Sequence, residues 1–171
     1  VKALIKSGKE ENFDFQILNA TENVNKAQKV ILVSEIEKYF GGNIKDKKIA
    51  MWGLAFKANT DDIREASSLD NISLLLEKGA KITAYDAIAE ENVKKIFGDK
   101  IEYTKDMYSC LEDADCLLIA TEWSEFKNPN FQLMAEKMKN KAIFDGRNMF
   151  SIDQIENTGF YYKSIGRKTI K

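Results

Sequence analysis

The sequence contains no histidine among its 171 residues. This excludes Ser-His-Asp and Cys-His catalysis and the common histidine-containing zinc sites, so we predict no metal site. Two cysteines, Cys110 and Cys116, are too few for the disulfide framework of a secreted protein. No apolar run approaches the roughly 20 residues of a spanning helix, and the opening segment VKALIKSGKEEN has no signal-peptide core. We therefore expect a cytoplasmic location and no membrane partner.

An excess of charge of either sign is also missing. With 26 basic and 27 acidic residues, the chain lacks the positive charge that attracts nucleic acid, and we predict no nucleic-acid partner. Its 44% apolar and 31% charged residues are typical of a folded globular protein. The length allows one sizeable domain and an appendage. The first residue is Val1 rather than methionine, which indicates a fragment of a longer reading frame; removal of a tag would leave the same pattern.

The amino-terminal part of the chain has a helical pattern. Apolar residues recur at every third or fourth position over Asp14–Phe40, which predicts one long helix with an apolar stripe. Two glycines follow, and glycine commonly ends a helix. So long an apolar stripe needs a surface to pack against, either in its own domain or on a partner. The expected domain boundary lies at Gly41–Lys45, which divides the chain into residues 1–43 and residues 44–171.

Beyond this boundary, strand-like and helix-like segments alternate. One of them, DCLLIA at 115–120, is a continuous apolar run of the kind found in central parallel strands. The alternation predicts an α/β fold, a Rossmann-like doubly wound parallel sheet preceded by the long helix. The predicted strands are 47–51, 81–86, 101–103, 115–120, 141–145 and 160–165, and the predicted helices are 69–77, 89–97, 105–111, 131–138 and 152–156.

The loop from Trp52 to Ser68 is the centre of the predicted site. It follows the first strand, and ligands of open α/β sheets bind beyond the carboxyl ends of the strands. The loop carries Lys57 and Arg64 but only one glycine, so it lacks the dinucleotide fingerprint and presents side chains to a ligand. In the alternative interpretation it is a solvated loop in which Arg64 pairs with a neighbouring carboxylate. Ser67 and Ser68 are both able to cap the next helix.

Later strand ends should contribute to the same site. Arg147 follows the strand 141–145 and can bind a phosphate or a sugar hydroxyl bidentately. Structural roles are the alternatives: Arg147 forms an ion pair with Asp145, and Trp123 covers the core rather than stacking on a base. Asp86 ends the second strand, where a Rossmann domain places its ribose-binding acid, but without the glycine fingerprint this role is the weaker interpretation.

Three segments of the chain resemble one family. GLAFKANTDDIREASS, within 53–68, is similar to the GLAFK-x-x-T-D-D-x-R-E-[AS] signature of UDP-glucose 6-dehydrogenases and related nucleotide-sugar dehydrogenases. FDGRN at 144–148 and GFYYKSIGR at 159–167 also resemble segments of that family. The three matches occur in the family's order and extend over nearly the whole chain.

The resemblance implies that the chain is the UDP-sugar-binding part of an enzyme that oxidises UDP-glucose to UDP-glucuronate with two NAD. It implies that Phe56, Lys57 and Arg147 bind the nucleotide sugar. Arg64 would contact the pyrophosphate of NAD, which is held mainly by another domain. The helix at 14–40 resembles the connector through which such enzymes form homodimers.

The resemblance also implies that the catalytic machinery is incomplete here. The family's nucleophilic cysteine lies in a G-x-G-G-x-C-F-P-K-D segment, which we expect upstream of Val1. Neither Cys110 nor Cys116 matches that segment, so we predict no catalytic residue and no activity for the fragment alone. Two alternatives stay open: the same domain of a UDP-N-acetylmannosamine or GDP-mannose dehydrogenase, and a non-catalytic nucleotide-binding or dimerisation module.

Overall fold

The computed structural model describes all residues from Val1 to Lys171 and has six strands and seven α-helices. The strands are β1 (Lys48–Trp52), β2 (Lys81–Tyr85), β3 (Glu102–Tyr103), β4 (Cys116–Ile119), β5 (Ala142–Asp145) and β6 (Tyr161–Ser164). The helices are α1 (Lys2–Glu10), α2 (Gln16–Lys29), α3 (Ile31–Tyr39), α4 (Ser67–Glu77), α5 (Glu90–Phe97), α6 (Phe131–Lys137) and α7 (Ile152–Ile155). None of these helices combines the length and the apolar character needed to span a membrane.

The six strands form one parallel sheet in the order β3-β2-β1-β4-β5-β6. This order confirms the predicted doubly wound, Rossmann-like α/β fold, and it reverses direction between β1 and β4. Every residue of β4 and β5 is buried, as expected for strands covered on both faces. The crevice at the reversal, beyond the carboxyl ends of β1 and β4, is where such folds bind ligands.

The predicted single helix at 14–40 is two helices. The chain leaves the helical conformation at Val30, whose φ and ψ are −112° and 9°, between α2 and α3. The side chain of Asn71 in α4 donates to the carbonyl oxygen of Lys29 at 3.0 Å. A tertiary contact thus provides a partner for a carbonyl at the end of α2, and the periodicity of the sequence cannot reveal it.

The two helices also differ in what they pack against. Helix α3 buries Leu32, Val33 and Ile36 in the same core of 38 apolar residues that contains the sheet. Helix α2 buries no residue. Helix α3 precedes the predicted boundary but packs on the sheet that follows it, while the apolar stripe of α2 remains exposed.

Two local predictions were wrong. Neither Ser67 nor Ser68 caps α4: Ala66 occupies the N-cap without a side-chain bond, and Ser68 donates to the carbonyl oxygen of Leu54 at 2.5 Å. The predicted helix at 105–111 is only a short 3₁₀ turn at Ser109–Leu111. The carboxylate of Asp106 accepts the backbone N–H groups of residues 108 and 109, a local pattern that competes with helix formation.

Candidate functional site

The loop after β1 turns sharply at Gly53. This residue has a φ of +88°, and its backbone N–H donates to the carbonyl oxygen of Tyr85 at 2.8 Å. A Cβ at this position would lie 2.7 Å from the backbone nitrogen of Thr121, two residues after β4. Only glycine combines this φ with so close an approach, which explains the single glycine of the loop.

The same loop is held by the buried carboxylate of Asp86. One oxygen accepts the backbone N–H groups of Leu54 and Ala55 at 2.6 and 3.0 Å and the indole N–H of Trp123 at 3.0 Å. The other oxygen accepts the backbone N–H groups of Ile88 and Ala89. Because both carboxylate oxygens are used inside the protein, the structural roles of Asp86 and Trp123 are favoured over ribose binding and base stacking.

The loop after β5, which we call the β5 loop (Asp145–Phe150), is organised around a second buried carboxylate. Asp145 accepts the backbone N–H of Arg147 at 2.8 Å and that of Met149 at 2.6 Å. At Gly146, an added Cβ would lie 3.0 Å from the carbonyl oxygen of Ile119. The alternative in which Arg147 forms an ion pair with Asp145 is not realised, since the guanidinium pairs instead with Glu122.

A cavity of about 530 Å³ lies beyond the carboxyl ends of β4 and β5, a volume within the usual range for ligand pockets. Phe56 and Arg147 line it from the strand side. Helices α2, α3 and α4 close the other side and contribute Gln28, Lys29 and Asn71 among others.

Arg147 lines this cavity with part of its guanidinium unpaired. Its Nε donates to Oε2 of Glu122, and its side chain is 34% exposed. Neither Nη group has a partner in the protein, so the N–H donors of both Nη groups remain available to a ligand. Lys29, in contrast, pairs with Glu65 at 3.1 Å and with Asp70 at 3.2 Å. Burial lowers the pKa of Lys29, but these carboxylates outweigh it and leave the pKa raised.

The other two predicted residues lie elsewhere. Lys57 does not line the cavity and makes no hydrogen bond or ion pair within the protein. Arg64 also lies outside; its side chain is 87% exposed and bonds to both carboxylate oxygens of Asp62 at 2.9 and 2.8 Å. Arg64 lowers the pKa of Asp62 to about 2. The structure therefore brings Phe56 and Arg147 together in the cavity and leaves Lys57 and Arg64 outside it.

Several polar residues of the cavity were not predicted. Asn25, Gln28 and Lys29 of α2 line it, together with Glu65 and Asn71. Sequence reasoning considered only the apolar stripe of this helix. The sequence does indicate a polar face on this helix, because Asn25, Gln28 and Lys29 are spaced at i, i+3 and i+4.

Both cysteines are inert in this structure. Cys110 and Cys116 are free, fully buried thiols. Burial raises the pKa of Cys110 to about 12 and that of Cys116 well above its ordinary value. A protonated, inaccessible thiol is a poor nucleophile. Both thiols therefore have the surroundings of packing residues.

A parallel sheet of this order, with a free guanidinium in a cavity at its carboxyl edge, defines a Rossmann-type nucleotide-binding domain. The family model "UDP-glucose/GDP-mannose dehydrogenase family, UDP binding domain" matches residues 50–152. The chain therefore belongs to the UDP-glucose/GDP-mannose dehydrogenase family and contains its UDP-binding domain.

Individual relatives agree with this assignment. The chain is 37% identical over 169 residues to the UDP-glucose 6-dehydrogenase TuaD of Bacillus subtilis, a match covering 99% of this chain and 36% of the relative. It is 36% identical over 172 residues to a UDP-glucose 6-dehydrogenase of Pseudomonas aeruginosa, covering 98% of this chain and 38% of that protein. The chain thus corresponds to little more than a third of the length of these relatives.

Solved structures give the same result. A UDP-glucose dehydrogenase from Pyrobaculum islandicum superposes with a TM-score of 0.76 at 29% identity, over 86% of this chain and 32% of that chain. The UDP-N-acetyl-mannosamine dehydrogenase Cap5O from Staphylococcus aureus superposes with a TM-score of 0.64 at 28% identity, over 85% and 32%. The fold is therefore shared among family members whose names differ in the sugar.

Proposed function

We propose that this chain is the UDP-sugar-binding part of an NAD-dependent nucleotide-sugar dehydrogenase that oxidises UDP-glucose to UDP-glucuronate. The single observation that carries this proposal is the position of Arg147. Arg147 lines the cavity of about 530 Å³ at the carboxyl edge of the sheet, and its two Nη groups have no partner in the protein. A guanidinium fork makes paired, charge-assisted hydrogen bonds with phosphate oxygens, which suits a diphosphate.

Phe56 supports the same proposal. Its side chain lines the cavity and is still 48% exposed, so an aromatic face is available to the base or the sugar of the ligand. Lys57 is the neighbouring residue in sequence; it is exposed and forms no ion pair within the protein. We assign Lys57 to the outer part of the nucleotide-sugar site, where an ammonium contributes a long-range attraction rather than a fixed hydrogen bond.

Arg64 is proposed to serve NAD. It lies outside the cavity, almost fully exposed, and the two oxygens of Asp62 hold one edge of its guanidinium. This arrangement directs the remaining donors to solvent, where another domain of the enzyme could present the pyrophosphate of the cofactor. NAD would thus be bound mainly by protein outside this chain.

We further propose that the enzyme is a homodimer formed through α2. Ile17, Ala20, Val24 and Ala27 form a stripe along this helix, and all four are exposed. Ile17 and Val24 are 82% and 60% exposed, which is unusual for large apolar residues in a repeated helical pattern. A second copy of the same helix would bury this stripe.

We also propose a cytoplasmic location and a role in polysaccharide biosynthesis for the enzyme.

The two alternatives differ from this proposal in measurable ways. The first alternative is a UDP-N-acetylmannosamine or GDP-mannose dehydrogenase, since such enzymes belong to the same family. A non-catalytic nucleotide-binding or dimerisation module is the second. The dissociation constants of UDP, UDP-glucose, UDP-N-acetylmannosamine and GDP-mannose, measured by titration calorimetry, would test the sugar. A preference for GDP-mannose or for the N-acetylated sugar would replace the proposed substrate.

The chain by itself is proposed to be inactive. It offers no accessible thiol, since both cysteines are buried, and it lacks the glycine fingerprint of a dinucleotide-binding loop. With UDP-glucose and NAD present, NADH formation by this chain should not exceed the blank. Turnover above the blank would show that other residues perform the oxidation.

A further inference from the structure

We propose that Tyr162 is a positioning residue that fixes the β5 loop so that Arg147 meets the diphosphate of the nucleotide sugar. This inference rests on the proposed function. Tyr162 itself does not line the cavity; it acts through Asp145. Nothing in the sequence distinguishes it from its neighbour Tyr161, and only the structure separates their roles.

The contact between Tyr162 and Asp145 is buried and direct. Strand β6 runs beside β5, and Tyr162 is fully buried on it. Its hydroxyl donates to Oδ2 of Asp145 at 2.7 Å. Asp145 is also fully buried, so this bond is protected from competing water. A buried carboxylate needs such donors, and its position is fixed by them.

Asp145 transmits this constraint to Arg147. Its Oδ1 accepts the backbone N–H of Arg147 at 2.8 Å, while Oδ2 accepts that of Met149 at 2.6 Å in addition to the Tyr162 hydroxyl. The carboxylate therefore sits between a rigid strand on one side and the loop backbone on the other. Removing the hydroxyl would leave the Asp145 carboxylate bonded only to N–H groups of the loop itself, so the acceptor of the Arg147 N–H would no longer be tied to β6.

Two further contacts join the segment after Tyr162 to the same loop. Asn148, whose φ is +53°, exchanges hydrogen bonds with the carbonyl oxygen and the N–H of Ile165 at 3.2 and 3.1 Å. Arg167 donates through Nη1 to the carbonyl oxygen of Phe150 at 2.8 Å. The segment GFYYKSIGR thus contacts the β5 loop at three residues, and two of them, Asp145 and Asn148, belong to FDGRN. This gives a physical reason for the two motifs to occur together.

The consequence is expected in binding and not only in stability. The Nε of Arg147 is held by Glu122 and its backbone by Asp145, so both ends of the residue are restrained. Paired hydrogen bonds from one guanidinium require near-linear geometry at both donors, and they weaken steeply when the angle changes. A small rotation of the loop would therefore reduce affinity while the sheet remains intact.

The test compares Tyr162→Phe with Tyr161→Phe in the full 171-residue chain, with UDP as the ligand in titration calorimetry. Tyr161 is the matched control because it lies one position away and packs on the rings of Tyr39 and Phe144 rather than on the β5 loop. We expect Tyr162→Phe to raise the Kd for UDP about tenfold, the loss of one hydrogen bond to a charged group. Tyr161→Phe should change the Kd by less than about twofold.

A double-mutant cycle separates positioning from general destabilisation. In the background of Arg147→Ala, Tyr162→Phe should have no further effect on UDP affinity, because the residue that it positions is gone. An equal loss in both backgrounds, or an unchanged Kd in Tyr162→Phe, would overturn the inference. Circular dichroism verifies that each variant is folded.

Arg167→Ala is the second variant, in case Tyr162→Phe does not fold. Arg167 is exposed, and its removal takes away only the contact with the Phe150 carbonyl. We expect a smaller but measurable rise in the Kd for UDP, again absent when Arg147 is alanine. An unchanged Kd in Arg167→Ala would then overturn the inference. If the unmodified chain binds no UDP, the proposed function fails first, and the inference fails with it.

Discussion

Arg147 and Glu122 form an ion pair in which Nε of the guanidinium donates to Oε2 of the carboxylate. Glu122 follows β4 and Arg147 follows β5, so the pair joins the ends of two adjacent strands. It uses Nε of the guanidinium and leaves the two Nη groups of this cavity-lining residue without a partner in the protein. Charge and direction of the proposed phosphate-binding group are therefore set before a ligand arrives, which reduces the ordering cost of binding.

Replacement of Arg147 by alanine should weaken UDP binding more than replacement of Lys57. The loss of a charged, paired contact costs on the order of 1.5–3 kcal/mol, or about ten- to a hundredfold in affinity. Lys57→Ala should cost less than about fivefold, because its ammonium is outside the cavity and is screened by solvent. Titration calorimetry with UDP measures both. Equal and negligible effects would mean that neither residue contacts the ligand.

Replacement of Arg64 should affect the cofactor and not the nucleotide sugar. Arg64→Ala in this chain should leave the Kd for UDP within about twofold, because the side chain is exposed and lies outside the cavity. In the complete enzyme it should raise the KM for NAD, while Arg147→Ala should raise the KM for UDP-glucose instead. Loss of UDP binding by a folded Arg64→Ala variant would place this residue in the nucleotide-sugar site.

Self-association should depend on the exposed stripe of α2. Ile17→Asp and Val24→Asp place charges on this stripe, and each should shift sedimentation from dimer to monomer because a buried unpaired charge is costly. Ile96→Asp is the control, since Ile96 is 54% exposed but belongs to α5. The fold should be unaffected in all three variants. An unmodified chain that sediments as a monomer at high concentration would contradict the prediction.

Gly53 should be intolerant of substitution. Gly53→Ala forces a side chain into a φ of +88° and against the backbone of Thr121, and we expect a loss of about 2–4 kcal/mol in the free energy of unfolding. Gly41→Ala is the comparison, because Gly41 has a φ of +72° but no neighbouring atom within 4 Å of an added Cβ. It should cost only about 1 kcal/mol. Urea denaturation measures both, and equal losses would argue against the steric explanation.

Alkaline pH should destabilise the fold through its tyrosines. Burial is the main cause that raises the pKa of Tyr85 and Tyr103 to about 12, against about 10 in an unfolded chain. The unfolded state therefore releases protons first. The stability that depends on the neutral phenols is complete below about pH 10 and is lost as the pH rises toward 12.

Melting temperatures between about pH 8 and pH 12 would measure this loss. Tyr103→Phe is the informative variant, because the Tyr103 hydroxyl is buried without a hydrogen-bond partner. Its removal should cost little at neutral pH and should make the melting temperature less sensitive to alkali. A pH dependence identical to that of the unmodified chain would show that Tyr103 does not contribute.

Much of the fold could be predicted because the order of apolar and polar residues along the chain indicates where strands and helices form. The apolar run of β4 and the alternation of strands and helices are consequences of burial on both faces of a parallel sheet. The break at Val30 could not be predicted, because the hydrogen bond from Asn71 to the carbonyl of Lys29 joins residues 42 positions apart. Local periodicity contains no information about such a contact.

For the candidate site, too, some features follow from the sequence and others depend on tertiary contacts. The sequence by itself determined that Phe56, Lys57, Arg64 and Arg147 follow strands at the carboxyl edge of the sheet, since strand order along the chain and parallel pairing require it. Only the tertiary structure decided that Phe56 and Arg147 share a cavity while Lys57 and Arg64 lie outside it. The direction of a side chain depends on partners distant in sequence, such as Glu122 for Arg147, 25 positions away.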